Sequence, residues 1–303
     1  MKNPLLKMLY CLQVWNQLRR YPELFLFSDA MMQISRVLLP ARWNSFYASK
    51  RMKATLEFDN SSNNPQEPVN IHCVPLNLNF LWNGHIDNNL FFMAEQEFFT
   101  RNPHCYSTKP IIMEGIQKVI DVGACEGLFA FRMAKLGRGV DVHCFEPFKD
   151  MAKLIQKGAE LNGVMDSIHV HSQALLSKPG FVKFIISETP DAGKVVECSE
   201  NDPDSLKSNS LDEFFKNCDF ELNQHDLIKI DAEGSDFDVL KGARSVIESC
   251  RPQIAVTTYH KDEHAELIYR WLDELNLGYR FRLKGFSFWT SKPRPVLLQA
   301  STL

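Results

Sequence analysis

A short glycine loop is the first part of this sequence whose residue types could do chemistry. In VIDVGACEG, residues 119–127, Asp121 follows an apolar run, and Gly123 and Gly127 come shortly after it. Glycine lets the backbone approach a ligand closely and adopt positive φ. A helix that begins near Gly127 directs its free N–H groups at the loop. The segment is therefore typical of a nucleotide-type site, although Asp121 taken alone could be a strand-end residue that caps backbone.

The spacing within the loop favours a ligand that has no pyrophosphate. The nicotinamide fingerprint is G-x-G-x-x-G, whereas this loop lacks the middle glycine and places Glu126 where it would repel phosphate. Glu146 ends the next predicted strand, 19 residues after Gly127. A carboxylate at that position can accept hydrogen bonds from both hydroxyls of a ribose. Of the two common ligands, S-adenosylmethionine fits this pattern better than a nicotinamide dinucleotide.

A second group of reactive side chains follows two later predicted strands. Lys229, Asp231, Glu233 and Asp236 lie in LIKIDAEGSD, and His260 lies in TYHKDEH. Ligands of parallel sheets bind beyond the carboxyl ends of the strands, so these residues are expected to share a rim. The strand period of two predicts Asp231 and Glu233 on one face. Either Asp231 or His260 could take a proton from a hydroxyl, and His260 is favoured because imidazole titrates near neutral pH.

Each of these residues also has a simpler interpretation. His260 could be a satisfied strand-end residue, and Lys229 could be a structural partner of the acidic cluster. A divalent cation held by Asp231, Glu233 and His260 is a further alternative, since hard cations prefer oxygen ligands. One strand end is a sparse cage, however, and we expect no metal.

The elements that must position these residues alternate between strands and helices after residue 111. This order predicts a parallel sheet wound by right-handed crossovers. SIHVHSQALL is predicted as the third strand, FVKFIISE as an edge strand, and Ser210 to Glu213 as a capping box. The last two strands, YRFRLKG and PVLLQA, are separated only by residues 286–294. No crossover helix fits there, so the two strands should pair antiparallel.

Residues 1–110 are predicted to form a separate, mainly helical and irregular region, with the catalytic domain in residues 111–303. Helices are expected at about 4–20 and 28–39, and a polar linker at 59–68. We expect this region to act as a lid or docking module beside the cofactor. The segment IHCVPLNLNFLW is predicted to be strand-like, and residues 89–100 are predicted to be helical. On this helix, Glu95 or Glu97 could reach the cofactor or acceptor, although a solvated helix face is favoured.

The charge of the chain is unevenly placed. The formal net charge is −3, but residues 1–58 hold nine Lys/Arg against three Asp/Glu, a balance of +6, which leaves −9 for the rest. A basic segment on an acidic body indicates docking to a membrane surface or an acidic protein partner, or simply a solvated helix face. Eight dispersed cysteines without zinc spacing predict reduced thiols in the cytoplasm. We expect neither a signal peptide nor a membrane span.

Several segments together resemble one known family. VIDVGACEG, CFEPF, LIKIDAEGSDFDVLKGA, VTTYHK and YRFRLKGF…PVLLQA are similar to the FkbM-type S-adenosylmethionine-dependent methyltransferases, over roughly residues 115–300. The family usually continues K-x-D-x-E-G with Ala-Glu, where this chain has Ser235 and Asp236. The resemblance implies a class I methyltransferase fold, a Rossmann-like seven-stranded sheet with an antiparallel C-terminal hairpin.

The resemblance also implies roles for the loop residues and an activity. Asp121 would face the methionyl amino group, Gly123, Ala124 and Gly127 would wrap that moiety, Asp231 would lie near the methyl group, and Gln173 and Ala174 would lie near the adenine edge. The expected reaction is O-methylation of a hydroxyl on a glycan, glycolipid or secondary metabolite.

The sequence is also compatible with two other functions. A non-catalytic cofactor-binding scaffold is one alternative, and an RNA methyltransferase that uses residues 1–58 is the other. The catalytic half has no strong basic stripe, so no specific nucleic-acid partner is expected.

Overall fold

The structure is a computed structural model that describes residues 4–38, 55–59, 67–136, 139–185, 194–287, 289–290 and 292–303. The described part of the N-terminal region contains three α-helices and three strands. In chain order these are α1 (Pro4–Arg20), α2 (Phe27–Leu38), β1 (Leu56–Asp59), β2 (Val69–Cys73), β3 (Leu78–Trp82) and α3 (Asn88–Gln96).

The remaining chain alternates strands and helices before it ends in two strands. The elements are β4 (Lys118–Val122), α4 (Leu128–Lys135), β5 (Asp141–Phe145), α5 (Lys149–Leu161), β6 (Ile168–His171), β7 (Ala174–Leu175), β8 (Gly180–Ile185), β9 (Lys194–Glu197), β10 (Leu206–Asn209), α6 (Leu211–Lys216), β11 (Leu227–Ile230), α7 (Asp236–Lys241), α8 (Arg244–Cys250), β12 (Gln253–Thr257), α9 (His264–Glu274), β13 (Arg280–Phe286) and β14 (Pro295–Ser301).

The central sheet has seven strands in the order β13-β14-β12-β11-β4-β5-β6. The strands from β12 to β6 pair parallel, whereas β14 pairs antiparallel with both β12 and β13. This topology confirms the predicted seven-stranded methyltransferase sheet and its antiparallel C-terminal hairpin.

Alternate residues of the central strands pack into two hydrophobic cores, one on each face of the sheet. On β4, Ile120 and Val122 belong to the core that includes α7, α8 and α9, whereas Val119 belongs to the core that includes α4 and α5. On β11, Ile228 likewise belongs to the first of these two cores and Leu227 to the second. Strands covered on both faces read as nearly continuous apolar runs, which is why KVIDV and LIKI were recognisable as strands.

The N-terminal region packs into both of these cores. Tyr10 and Val14 of α1 join the core that contains Leu298 of β14, and the ring of Phe25 stacks on Phe286 at 4.9 Å between centroids. On the other face, the backbone N–H of Asn79 donates to the side chain of Asn162, which follows α5, at 2.8 Å. The expected boundary at residue 110 therefore does not coincide with a break in the core. The region also contains the antiparallel sheet β1-β2-β3. Its strands β2 and β3 lie largely within the segment IHCVPLNLNFLW, which was predicted to be strand-like, whereas β1 was not predicted.

Three local expectations need correction. SIHVHSQALL is not one strand, because β6 ends at His171 and β7 belongs to a second sheet, of order β7-β10-β8-β9. FVKFIISE contributes β8 to that second sheet rather than to an edge of the central one. Glu95 and Glu97 do not lie on a solvated face, because they are only 3% and 1% exposed.

Other local expectations agree with the structure or fall outside its described part. The capping box is confirmed, since Ser210 Oγ accepts a hydrogen bond from the Glu213 N–H at 3.1 Å. Residues 60–66 of the predicted linker and the expected end of the second helix at residue 39 lie outside the described residues. Within the described residues, no helix is both long enough and apolar enough to cross a membrane.

Candidate functional site

The carboxyl ends of β4, β5, β11 and β12 open into a cavity of about 700 Å³. Gly123 and Glu146 line it from the first two strands, and Asp231 and His260 line it from the other two. Sheets of this kind bind ligands at this edge because the strands end there and the connecting loops diverge. The predicted rim is therefore a real concave site.

Gly123 is a position that only glycine can fill without displacing the backbone. Its φ is +73°, and a Cβ built there would lie 1.9 Å from the carbonyl oxygen of Asp231. The Gly123 N–H donates to the Phe145 carbonyl at 3.0 Å, which holds the loop across the ends of two strands. The glycine loop thus lies directly against the segment that carries Asp231. Gly127, at φ +79°, is the N-cap of α4.

Replacing Gly123 with alanine is expected to lower the free energy of unfolding by at least about 2 kcal/mol, because left-handed strain adds to a backbone clash. Gly163 provides the matched control, since its φ is +64° and a Cβ there would meet nothing within 4 Å. Gly163→Ala should therefore show the cost of the backbone conformation alone. Denaturant unfolding of both variants measures the difference. Equal losses would contradict the proposed clash with Asp231.

Glu146 lines the cavity, and its carboxylate also ties the glycine loop to the next turn. It accepts from the Cys125 N–H at 3.2 Å and from the Phe148 N–H at 3.0 Å. Burial raises the pKa of this carboxyl to about 7, although the two backbone donors act to lower it. These two bonds hold the side chain at the cavity lining, and its contact with a ribose stays a prediction. Gln173 and Ala174 line the same cavity, whereas Ala124 is buried and is not part of the lining.

Asp121 does not reach the cavity. Its side chain is fully buried, and it pairs with Lys229 Nζ at 2.8 Å. Burial raises the pKa of Asp121, and the neighbouring ammonium opposes that rise. The predicted direct contact of Asp121 with a methionyl amino group is thus not available in this geometry. Lys229 also donates to the Gly123 carbonyl at 2.7 Å, so the ion pair supports the glycine loop from behind.

Asp231 is held in place by two hydroxyl groups. Tyr106 Oη donates to Asp231 Oδ2 at 2.8 Å, and the single proton of Thr257 Oγ1 is shared between Asp231 Oδ1 at 3.1 Å and Asp236 Oδ1 at 2.8 Å. Glu233, two residues later, is 65% exposed and has a left-handed φ of +48°. The strand has already ended at Ile230, so the period of two does not place these carboxylates on one face. They approach each other instead through a turn.

His260 is fixed by Asp236, which starts α7. Asp236 Oδ1 accepts from the Ala232 N–H at 2.9 Å and Oδ2 accepts from the Gly234 N–H at 3.1 Å. Burial alone raises the pKa of Asp236, but His260 and these donors bring it down to about 2. The carboxylate is therefore ionised, so His260 Nδ1, 3.1 Å from Oδ2, must be the donor.

His260 lines the cavity, and Nε2 is its other ring nitrogen. Nε2 is buried and has no hydrogen-bond partner within the described part of the chain. It lies 3.6 Å from both Asp231 Oδ1 and Glu233 Oε2. Burial lowers the pKa of the imidazole, but the carboxylates of Asp236, Asp231 and Glu233 outweigh it and raise the pKa to about 9.

Asp231, Asp236 and His260 are also close enough together to hold a metal ion. Both oxygens of Asp236, however, already accept hydrogen bonds from backbone N–H groups, and Oδ1 accepts another from Thr257. A cation there would have to compete with these bonds. The observed contacts form an ordered hydrogen-bond network that orients the imidazole of His260.

Several cavity residues were missed by sequence reasoning. Tyr106 contacts Asp231 from 125 residues away, in the stretch assigned to the N-terminal region, and no local signal marks it. Tyr259 could have been found, because it precedes His260 at the same strand end. The other missed lining residues include Phe148, Phe184, Lys261, Trp289 and Arg294.

Several solved structures are similar to this chain at low sequence identity. Methyltransferase FkbM from Methylobacillus flagellatus KT aligns with 86% of this chain at 16% identity and a TM-score of 0.46, and this chain covers 60% of that one. The O-methyltransferase from Bacillus cereus, solved with SAH, aligns at 13% identity and a TM-score of 0.40, covering 89% of this chain and 94% of its own. TomG from Streptomyces achromogenes, an O-methyltransferase of tomaymycin synthesis solved with SAM, aligns at 10% identity and a TM-score of 0.37, covering 61% and 72%.

A family profile, rather than a single similar protein, identifies the relatives of this chain. No curated protein is significantly similar to this chain. The profile of the methyltransferase FkbM domain, in contrast, matches residues 121–281, which is more than half of the 303 residues. The matched region runs from the glycine loop through the His260 rim into β13. The chain therefore belongs to the methyltransferase FkbM domain family.

Proposed function

We propose that this protein binds S-adenosylmethionine in the cavity and methylates a hydroxyl oxygen of a glycan, glycolipid or secondary metabolite. Family membership supports methyl transfer, and the glycine loop with Glu146 supports an adenosyl cofactor without phosphate. The observation that carries the choice of an oxygen acceptor is His260, which lines the cavity and whose buried Nε2 has no hydrogen-bond partner in the described residues. A hydroxyl is a poor nucleophile until its proton is removed, whereas a neutral amine can attack with its protons in place.

The cofactor, when bound, supplies a methyl group on a sulfonium centre that an oxygen can attack in line. Glu146 would hold the ribose hydroxyls, and the glycine loop would pack against the methionyl part. His260 Nε2 would accept the acceptor's proton, while Asp236 holds Nδ1–H and stabilises the imidazolium that forms. The proton then leaves His260 to water, which restores the base. Asp231, held by Tyr106 and Thr257, would orient the acceptor hydroxyl beside Nε2.

The character of the cavity agrees with a cyclic organic acceptor. Phe148, Phe184, Tyr259 and Trp289 line it alongside the charged rim. Aromatic faces pack well on sugar rings and flat apolar ligands, whereas the charged groups of the rim fix orientation. We also propose a cytoplasmic location, which rests on the cysteine usage of the chain.

The proposal predicts which ligands stabilise the protein against heat. The melting temperature of the purified chain should rise by several degrees with S-adenosylmethionine or S-adenosylhomocysteine at about 100 times Kd. NAD should leave it unchanged, because the loop is not suited to a pyrophosphate. Differential scanning fluorimetry with the three ligands and buffer alone provides the measurement. A rise with NAD alone, or with no ligand, would reject the proposed cofactor.

A further inference from the structure

Helix α1 has a second apolar face that is turned to solvent. Tyr10, Val14 and Leu18 bury one face of the helix against the core. Successive residues of a helix are rotated by about 100°, so the opposite face is built by other residues. It presents six large apolar side chains, each 45–70% exposed: Leu5, Leu6, Met8, Leu9, Leu12 and Trp15.

Helix α2, which packs on α1, extends the apolar surface. Phe27, Met31 and Leu38 recur at helical spacing and are 64%, 45% and 60% exposed. Single exposed apolar residues are ordinary on protein surfaces, but contiguous apolar surface of this kind marks an interaction site. A surface helix normally has one apolar stripe and a polar opposite face. This pair of helices therefore needs a partner that can accept apolar side chains.

The charge of the segment identifies the partner. Helix α1 contains three basic residues, Lys7, Arg19 and Arg20, and no acidic residue. The whole of residues 1–58 carries a balance of +6, on a body of −9. A second copy of this chain would bring two basic segments together in a symmetric contact, which is unfavourable. An anionic lipid surface takes up apolar side chains and attracts basic ones.

We propose that the exposed apolar faces of α1 and α2 dock on an anionic lipid bilayer, with both helices lying along its surface. Trp15 has the ring type that is enriched at the level of lipid headgroups. Toward its C-terminal end the exposed side of α1 turns polar, with Asn16, Arg19 and Arg20. Asn16 and Arg19 would meet the headgroups while the apolar part enters the outer acyl region, whereas Arg20 pairs with Glu266 at 2.7 Å.

The docking surface lies beside the candidate active site. Asn16, Gln17 and Arg20 of α1 line a smaller cavity of about 380 Å³. Lys261 and Arg294 line that cavity and also the large one that contains His260. A docked chain would therefore hold the entrance of its active site near the bilayer. This step rests on the proposed function, and it favours an acceptor whose hydroxyl is presented by a lipid-linked molecule.

Co-sedimentation of the full chain with vesicles tests the docking. Vesicles of phosphatidylcholine with about 30% phosphatidylserine should bind it at least about tenfold more tightly than phosphatidylcholine alone, and added salt should weaken the binding. The double substitution Leu9→Asp and Leu12→Asp should lower the partition coefficient by about ten- to a hundredfold, because it removes two inserted side chains. Leu161→Asp and Leu267→Asp are the matched controls. They replace leucines that are 47% and 46% exposed on α5 and α9, and they should bind like the wild type.

Several results would overturn the proposal. These are no binding to anionic vesicles, equal binding to neutral ones, or equal binding by the Leu9/Leu12 variant. A wild-type dimer that the same variant dissociates, without vesicle binding, would assign the surface to a second copy instead. Unchanged affinity for S-adenosylhomocysteine shows that the variant is folded. Vesicle binding is measured without cofactor or acceptor, so its failure is distinguishable from a failure of the proposed methyl transfer.

Discussion

Replacing His260 with glutamine is expected to lower kcat for methyl transfer by about 10²- to 10⁴-fold, the usual contribution of a positioned general base. Glutamine keeps a polar side chain of similar length but cannot accept the acceptor's proton. Cofactor affinity should change little, because Glu146 and the glycine loop hold the adenosyl group. His264→Gln is the matched control. His264 is also buried near Asp236, with Nδ1 3.9 Å from Oδ2, but it does not line the large cavity.

The same histidine makes the reaction depend on pH in a defined direction. The base form exists above the pKa of His260, which the surrounding carboxylates raise to about 9. The kcat/KM should therefore rise with pH from neutrality toward pH 9. Asp236→Asn removes the largest of the influences that raise this pKa, so the rise should move to lower pH while kcat falls.

The titration of His260 can be measured before any acceptor is known. In the proton–carbon NMR spectrum of the full chain, one histidine signal should titrate near pH 9 and should be missing from the His260→Gln spectrum. In Asp236→Asn that signal should titrate at lower pH. An unmoved titration in Asp236→Asn, or a His260→Gln enzyme with full activity, would rule out the proposed pair.

The titration of His260 also has a consequence for stability. Its pKa in the folded chain lies above the ordinary value of 6.5, so folding favours the protonated form. The resulting stabilisation is fully present below about pH 6.5 and is lost as pH rises through about 9.

Replacing Lys229 with methionine is expected to lower the free energy of unfolding by about 3–5 kcal/mol, the usual cost of leaving a buried charge without its partner. Asp121 is fully buried and pairs with Lys229 at 2.8 Å, and the carbonyl of Gly123 would lose its donor as well. Urea unfolding of the two proteins measures this loss. Because the glycine loop loses its support, affinity for S-adenosylhomocysteine should fall in the same variant.

Two comparisons separate the buried pair from an ordinary ion pair. Lys183→Met breaks a pair of 2.7 Å with Asp202, whose side chains are 36% and 21% exposed, and it should cost much less stability because solvent screens the pair. The double variant Asp121→Asn/Lys229→Met should recover part of the stability, since no unpaired charge stays buried. Burial raises the pKa of Asp121 above its ordinary value, so the loss in Lys229→Met should shrink as pH falls and the carboxyl takes up a proton. A loss no larger than that of Lys183→Met would contradict this account.

Much of the fold could be predicted because its signals are local. Buried parallel strands read as apolar runs such as KVIDV and LIKI, and a capping box marks a helix start at Ser210. The short connection before PVLLQA excluded a crossover helix and so required an antiparallel pair. The wrong predictions of strands concern the residues at which a strand ends. The run SIHVHSQALL continues to look extended after β6 has ended at His171, and hydrophobic pattern alone does not say which sheet receives the next residues.

The sequence predicted which residues belong to the candidate site better than it predicted how their side chains are arranged. Glycine positions and strand-end acids follow from spacing, so Gly123, Glu146, Asp231 and His260 could be placed at one rim. The direction of each side chain depends on the turn that follows its strand. Glu233 left the expected face because it adopts a left-handed φ, and Asp121 turned toward Lys229 instead of the cavity.

By itself the sequence determined the parallel sheet, the antiparallel hairpin, the glycine loop and the family to which the chain belongs. These features depend on residue periodicity and on short spacings, which are properties of the amino-acid sequence and do not depend on how the chain is folded. The tertiary structure was needed to show that Tyr106 holds Asp231, that Asp236 binds Nδ1 of His260, and that α1 has one buried and one exposed apolar face. Those outcomes depend on contacts between residues far apart in the chain, and such contacts exist only after the two cores have packed.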